Sequence, residues 1–206
     1  MPLPTSARLT IDLDALAHNF AVLRAQAAGA DAAPVIKADG YGLGAAQVAR
    51  RLWAEGAQGF FVARLSEGES LRAALGAEHP ATIYVLDGFL AGAGPRLAAA
   101  RLTPVLSSLP QIEAATTFAA ASGQALAVAL QVDTGMNRQG LTLAEAEAVA
   151  QSGDRLRGLD IVLLMSHLGS ATSPDDPRNQ LQLERFAQPG FQRGVQLLVD
   201  RGAHLF

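Results

Sequence analysis

The chain reads as an α/β protein built on a parallel sheet. Two patterns predict this: short strands alternate with helices along its whole length, and those strands are nearly continuous apolar runs. A run without polar alternation belongs to a strand covered on both faces, as happens when helices cross over between parallel strands. Size is consistent with it, because 206 residues, half of them apolar and 17% charged, can bury the core of one domain.

The elements follow in order. Residues 8–13 alternate (Leu9, Ile11 and Leu13 against Thr10 and Asp12), the pattern of a half-buried strand. Asp14 is the expected cap of a helix carrying Leu16, Phe20 and Leu23 at helical spacing and ending near Gly29. After Pro34, Val35 and Ile36 read as a short buried strand that Lys37 closes. A turn with glycines at 40, 42 and 44 leads into an amphipathic helix over 45–55. Gly59-Phe60-Phe61-Val62-Ala63 is the next strand, with Ser66 as cap of a helix reaching Leu75. Residues 82–86 form a strand, and Pro95 suits the first turn of a short helix. A weaker strand over 103–106 precedes a helix over 110–121. Then come a long apolar strand over 125–132, a helix over 142–152 and a strand over 159–165. A last helical stretch is expected over 179–200, broken near Pro189 and Gly190.

Neither a repeat nor a low-complexity linker marks a second domain. Counted from the Lys37 run there are six strands, about two units short of a (β/α)8 barrel, which typically needs ~250 residues. Periodicity leaves an open doubly wound sheet and an incomplete barrel as alternatives.

Composition removes several classes. A net charge of −3 gives no footprint for nucleic acid. Without cysteine there is no disulfide framework and no thiolate metal site. No apolar run approaches the ~18 residues of a membrane span. The N-terminus lacks a basic segment followed by an apolar one, so no secretory signal is expected and the chain is assigned to the cytoplasm.

Three stretches carry chemistry. In Val35-Ile36-Lys37-Ala38-Asp39-Gly40-Tyr41-Gly42 a lysine stands at the mouth of a strand, beside a glycine-rich turn and a helix start. Its amine can form a Schiff base with a carbonyl cofactor, and the turn and helix can offer backbone N–H groups to an anion. From spacing alone a solvated lysine on an ordinary loop explains the stretch slightly better. Gly40-x-Gly42-x-x-Ala45 also fits the dinucleotide fingerprint, with Arg64 at the end of the next strand suited to a 2′-phosphate. That alternative is an NADP-binding oxidoreductase. The second stretch, Asp133-Thr134-Gly135-Met136-Asn137-Arg138-Gln139-Gly140, and the third, Met165-Ser166-His167-Leu168, place an arginine and a histidine after two further strands. Strand C-termini of a parallel sheet converge on one face, where sites are built.

Together these three stretches resemble, in order and approximate spacing, the lysine, arginine and histidine motifs of the alanine racemases. The resemblance runs from about Leu9 to at least Phe186. It implies a (β/α)8 barrel that carries pyridoxal 5′-phosphate (PLP), with the strand before Asp14 pairing outside the barrel. It further implies that Lys37 holds the cofactor and acts as one of two acid/base groups interconverting L- and D-alanine. Tyr41 would reach the phosphate, Arg138 the phenolic oxygen and the substrate carboxylate, and His167 the pyridine ring. No metal is implied; a homodimer is. Two departures stand out. Gln131 occupies the place where many members carry a lysine whose carbamate braces the arginine. The chain also stops at Phe206, with His204 and Leu205 opening a seventh strand. The resemblance places the last strands, most of the phosphate cup and a C-terminal β-domain with the opposing tyrosine beyond that point. Residues 1–206 are therefore expected to be one truncated barrel domain with little or no racemase activity alone, and a catalytically incompetent PLP-binding fragment is the alternative.

Overall fold

The computed structural model describes residues 7–27, 29–187 and 204–205. Helix α1 (Leu13–Gln26) begins at Asp12, whose Oδ1 accepts the N–H of Asp14 at 3.0 Å and of Ala15 at 2.9 Å. The cap is thus Asp12 and not Asp14. Residues 7–11 ahead of it are irregular rather than a strand, and Leu9 is 79% exposed. Alternation supplies a face but no partner, and Asp12 satisfies the helix start instead.

The run before Lys37 makes one parallel bridge, Val35 to Phe61, with Ile36 N–H donating to the Phe61 carbonyl at 2.8 Å. It goes no further because the backbone turns left-handed at Ala38. Beyond the turn α2 (Lys37–Tyr41), helix α3 (Ala45–Ala54) leads to strand β1 (Gly59–Val62) and helix α4 (Leu65–Leu75). The βα alternation continues through β2 (Thr82–Val85), α5 (Gly94–Ala99), β3 (Thr103–Leu106), α6 (Leu109–Ser122) and β4 (Leu126–Gln131). After α7 (Leu143–Gln151) and a 3-10 turn come β5 (Leu159–Met165), α8 (Pro177–Phe186) and β6 (His204–Leu205). Pro95 and Pro110 lie in the first turns of their helices, and Thr142 caps α7 by accepting the Glu145 N–H. The expected break at Pro189 and Gly190 lies outside the described residues.

Every strand pairs in parallel with its chain neighbour, in the order β1-β2-β3-β4-β5-β6. An open doubly wound sheet reverses its strand order partway across; this one does not, so the barrel-type alternative holds. Curvature agrees with it. Phe61, Val105, Ala129 and Leu163, from β1, β3, β4 and β5, form one buried cluster inside the curled sheet, flanked by Ala33, Tyr84 and Leu86. Their neighbours Phe60, Leu106, Leu130 and Leu164 point the other way, into the layer under the helices with Leu52, Leu75, Leu97 and Ile112. Both faces are buried, which is why the strands read as unbroken apolar runs. With the Val35 bridge counted first, β6 is the seventh strand position, paired to β5 at Leu163–His204 and Leu164–Leu205. Among the described residues no helix is long and apolar enough to cross a membrane.

Candidate active site

Lys37 opens a turn of unusual hand. Ala38, Asp39, Gly40 and Tyr41 have φ of 52°, 53°, 64° and 56°. L-residues in this region cost about 1–2 kcal/mol each, so such a turn persists only where other contacts over-determine it. The contacts are hydrogen bonds. Gly40 N–H donates to the Ile36 carbonyl at 2.9 Å, Gly42 to Ala38 at 3.0 Å and Gly44 to Asp39 at 2.9 Å. The Asp39 carboxylate accepts the Ala45 N–H at 2.8 Å and so satisfies the start of α3. From outside, Glu67 accepts the Ala38 N–H at 2.9 Å through Oε1, and the Ala63 and Arg64 N–H groups at 2.8 and 3.1 Å through Oε2.

These bonds correct three expectations. The N–H groups of Ala38, Gly40, Gly42 and Gly44 in the turn and of Ala45 at the α3 start are already bonded within the chain, so they offer little to a phosphate. The dinucleotide reading built on Gly40, Gly42 and Arg64 loses its anion cradle as well as its sheet order. Ser66 is not the cap of α4; Glu67, in the third helical position, satisfies the N–H groups at its start. Sequence reasoning missed Glu67 because the capping-box pattern requires Ser or Thr three residues earlier, and Arg64 stands there.

Arg138 rides on a loop anchored at its base. Asp133 N–H donates to the Leu141 carbonyl at 2.8 Å, and Leu141 N–H to the Gln131 carbonyl at 2.9 Å. Inside the loop the Asp133 carboxylate accepts the N–H groups of Gly135 (2.8 Å), Asn137 (3.1 Å) and Arg138 (3.1 Å). Burial works against its ionisation, but the N–H groups of Asn137, Gly135, Arg138 and Met136 outweigh that and hold Asp133 below the usual carboxylate range. Buried Gln131 donates through Nε2 to the Gln139 carbonyl at 3.1 Å. Gln139 in turn reaches the Leu86 carbonyl at 2.9 Å and Ser107 Oγ at 3.3 Å. Three strand ends are thereby tied to the arginine loop.

His167 follows β5. Its imidazole is pushed below its ordinary pKa, first by burial, then by the positive charges of Arg138 and Lys37. Lys37, Arg138 and His167 thus follow the C-terminal ends of three different strand positions of the sheet, and both positive charges are felt at the histidine. Tyr41 is placed differently. It is 63% exposed and lines a cavity of about 260 Å³ with Leu16, Phe20, Val35 and Leu43, on the α1 side of the turn. A larger cavity, about 600 Å³, opens beside His167 between Ser166, Leu168, Asn179 and Phe186.

A model of the alanine racemase N-terminal domain matches residues 11–194. The chain belongs to the alanine racemase family. The alanine racemase of Methylobacterium nodulans is 50% identical over 183 residues, which is 88% of this chain and 48% of that protein. Among solved structures, alanine racemase from Bartonella henselae with covalently bound pyridoxal phosphate superposes with a TM-score of 0.81 at 30% identity, covering 91% of this chain and 53% of its own. Histidine racemase from Leuconostoc mesenteroides aligns at 0.75 and 26% identity, covering 85% and 47%. The chain spans about half the length of the curated relatives that it matches.

Proposed function

We propose that this chain is the cofactor-binding barrel domain of a PLP-dependent amino-acid racemase whose substrate is alanine. What supports the reading is that Lys37, Arg138 and His167 follow three different strands of one parallel sheet at their C-terminal ends, and that the charges of Lys37 and Arg138 both reach the His167 ring. The donor set suits the cofactor's chemistry. A primary amine suits an aldehyde, a planar imidazole kept neutral can lie against a pyridine ring, and a guanidinium can face a phenolate oxygen or a carboxylate. The Tyr41 hydroxyl is the candidate donor to the phosphate.

When bound, PLP supplies an electron sink that makes the substrate's Cα–H acidic. Lys37 anchors the cofactor and, when released from it, takes or returns a proton at Cα on one face. Arg138 holds the substrate carboxylate so that Cα stays within the amine's reach. His167 keeps its ring uncharged beside two cations and adds no further positive charge. Lys37 serves one face only, so inversion needs a second acid/base group opposite it. We assign that group to a tyrosine of a C-terminal domain, acting across a homodimer interface in a cytoplasmic enzyme. The family resemblance and the half-length match to the relatives support this assignment.

The test is covalent. Mixing the chain with PLP should give a visible absorption band that borohydride fixes on Lys37, as mapped by peptide mass spectrometry; Lys37→Ala should abolish it. No label at Lys37 would sink the reading. A label without interconversion of L- and D-alanine would identify a cofactor-binding fragment.

A further inference from the structure

We infer that Glu67 is the positioning residue of Lys37. It contributes a single carboxylate that fixes the left-handed turn to the end of β1 and thereby sets where the amine stands. The inference rests on the proposed role of Lys37 and deepens it.

Glu67 bonds three backbone N–H groups from two separate stretches of chain. One oxygen takes Ala38, immediately after Lys37; the other takes Ala63 and Arg64 at the end of β1. Within the turn the other hydrogen bonds run between residues 36 and 45; at its start Ile36 is held to β1 through its N–H on the Phe61 carbonyl, but among the described residues no such bond reaches Ala38 or the residues after it. Glu67 is the side chain that ties the turn to another element through a backbone hydrogen bond.

Packing substitutes for it only in part. A cavity of about 300 Å³ lies against Ile36, Asp39, Ala45, Ser66 and Glu67, and the cavity lined by Gly40, Tyr41 and Leu43 flanks the other side. Ile36 and Gly40 are buried, but these recesses border the turn at Asp39 and Tyr41, so packing alone does not dictate its φ angles. Ala38 and Tyr41, whose side chains disfavour the left-handed region, would relax if the external bond were lost. A charged acceptor makes a stronger bond to a backbone N–H than a neutral one does. Relaxation at Ala38 rotates the peptide that follows Lys37, so its effect falls on the amine's position.

The distinguishing experiment uses Glu67→Ala and Glu67→Gln in the full chain, with two readouts. Without cofactor, amide hydrogen exchange of the peptide over residues 36–45 should rise about tenfold or more in Glu67→Ala, while the β4 and β5 peptides stay protected. In the presence of PLP, borohydride trapping at Lys37 should slow by about tenfold or more. Glu67→Gln keeps one acceptor oxygen and should fall between the wild type and Glu67→Ala in both. Unchanged exchange over 36–45 in Glu67→Ala would overturn the inference, whatever the cofactor does. Equal loosening of all strands would also overturn it, because Glu67 would then be a general stability residue. Failure of the wild type to trap PLP, with local loosening intact in the variant, would remove the cofactor reading and leave the tie between Glu67 and the turn standing.

Discussion

Thr134 Oγ1 and Ser166 Oγ lie 2.7 Å apart, joining the chain just after β4 to the chain just after β5. Gln182 of α8 donates to the same Thr134 hydroxyl at 3.1 Å and to the His167 carbonyl at 2.9 Å, while accepting the Gly169 N–H at 2.8 Å. The arginine loop and the histidine loop are therefore held by one buried amide.

Gln182→Ala should leave the Gly169 N–H and the Thr134 hydroxyl short of a partner. The expected cost is about 1–3 kcal/mol, read as a lower midpoint in urea unfolding with an unchanged slope. A midpoint equal to that of the wild type would show that the amide holds nothing.

His167 should titrate below the ordinary histidine value near 6.5. Between its folded and unfolded pKa the unfolded state binds more protons, so stability rises with pH there. The contribution is complete above the unfolded value and is lost as pH falls through it toward the folded one. Proton NMR of the imidazole checks the midpoint. Arg138→Ala should move it upward by removing the second-largest cause, leaving burial as the first.

Gly140→Ala should be among the more damaging small changes. Gly140 has φ of +130°, and a Cβ there would stand 2.6 Å from the Asp133 nitrogen and 2.8 Å from the Val132 carbonyl carbon. Backbone cannot yield as a flexible side chain does, so we expect a loss of about 2 kcal/mol or more, measured by thermal unfolding. The same clash should loosen the loop that presents Arg138.

Leu163→Ala tests the curled sheet. Leu163 is 1% exposed and packs inside with Phe61, Val105 and Ala129. The expected cost is about 2–5 kcal/mol. In a flat sheet Leu163 of β5 and Phe61 of β1 would not share one buried cluster, and Phe61→Ala and Leu163→Ala would add independently. Here a double-mutant cycle should show coupling.

Much of this was legible in the sequence because the signals are local. The runs over 103–106 and 159–165 became β3 and β5 with their expected limits, and Pro95, Pro110 and Thr142 sit where helix-start rules put them. Lys37 and His167 could be named because each stands within two residues of an apolar run, and Arg138 because the stretch over 133–140 after another such run resembles the family's arginine motif. What stayed hidden depends on partners far along the chain. The alternation over 8–13 carries no information about whether a neighbouring strand exists. Glu67 looked like an ordinary helix residue because its value lies 29 positions away, at Ala38. Gln182 had no signal at all; a glutamine on a polar helix becomes the clamp of two loops only after folding. Sheet order was equally silent, since a barrel and an open sheet share the same periodicity.

The sequential strand order carries a consequence for how the molecule is made. Among the described residues each β-strand finds a partner in the unit synthesised immediately before it, and only the outer edge of the first strand waits for a distant one to close the barrel. Such a topology keeps contacts short along the chain and lets assembly advance as the polypeptide leaves the ribosome, one βα unit upon the last.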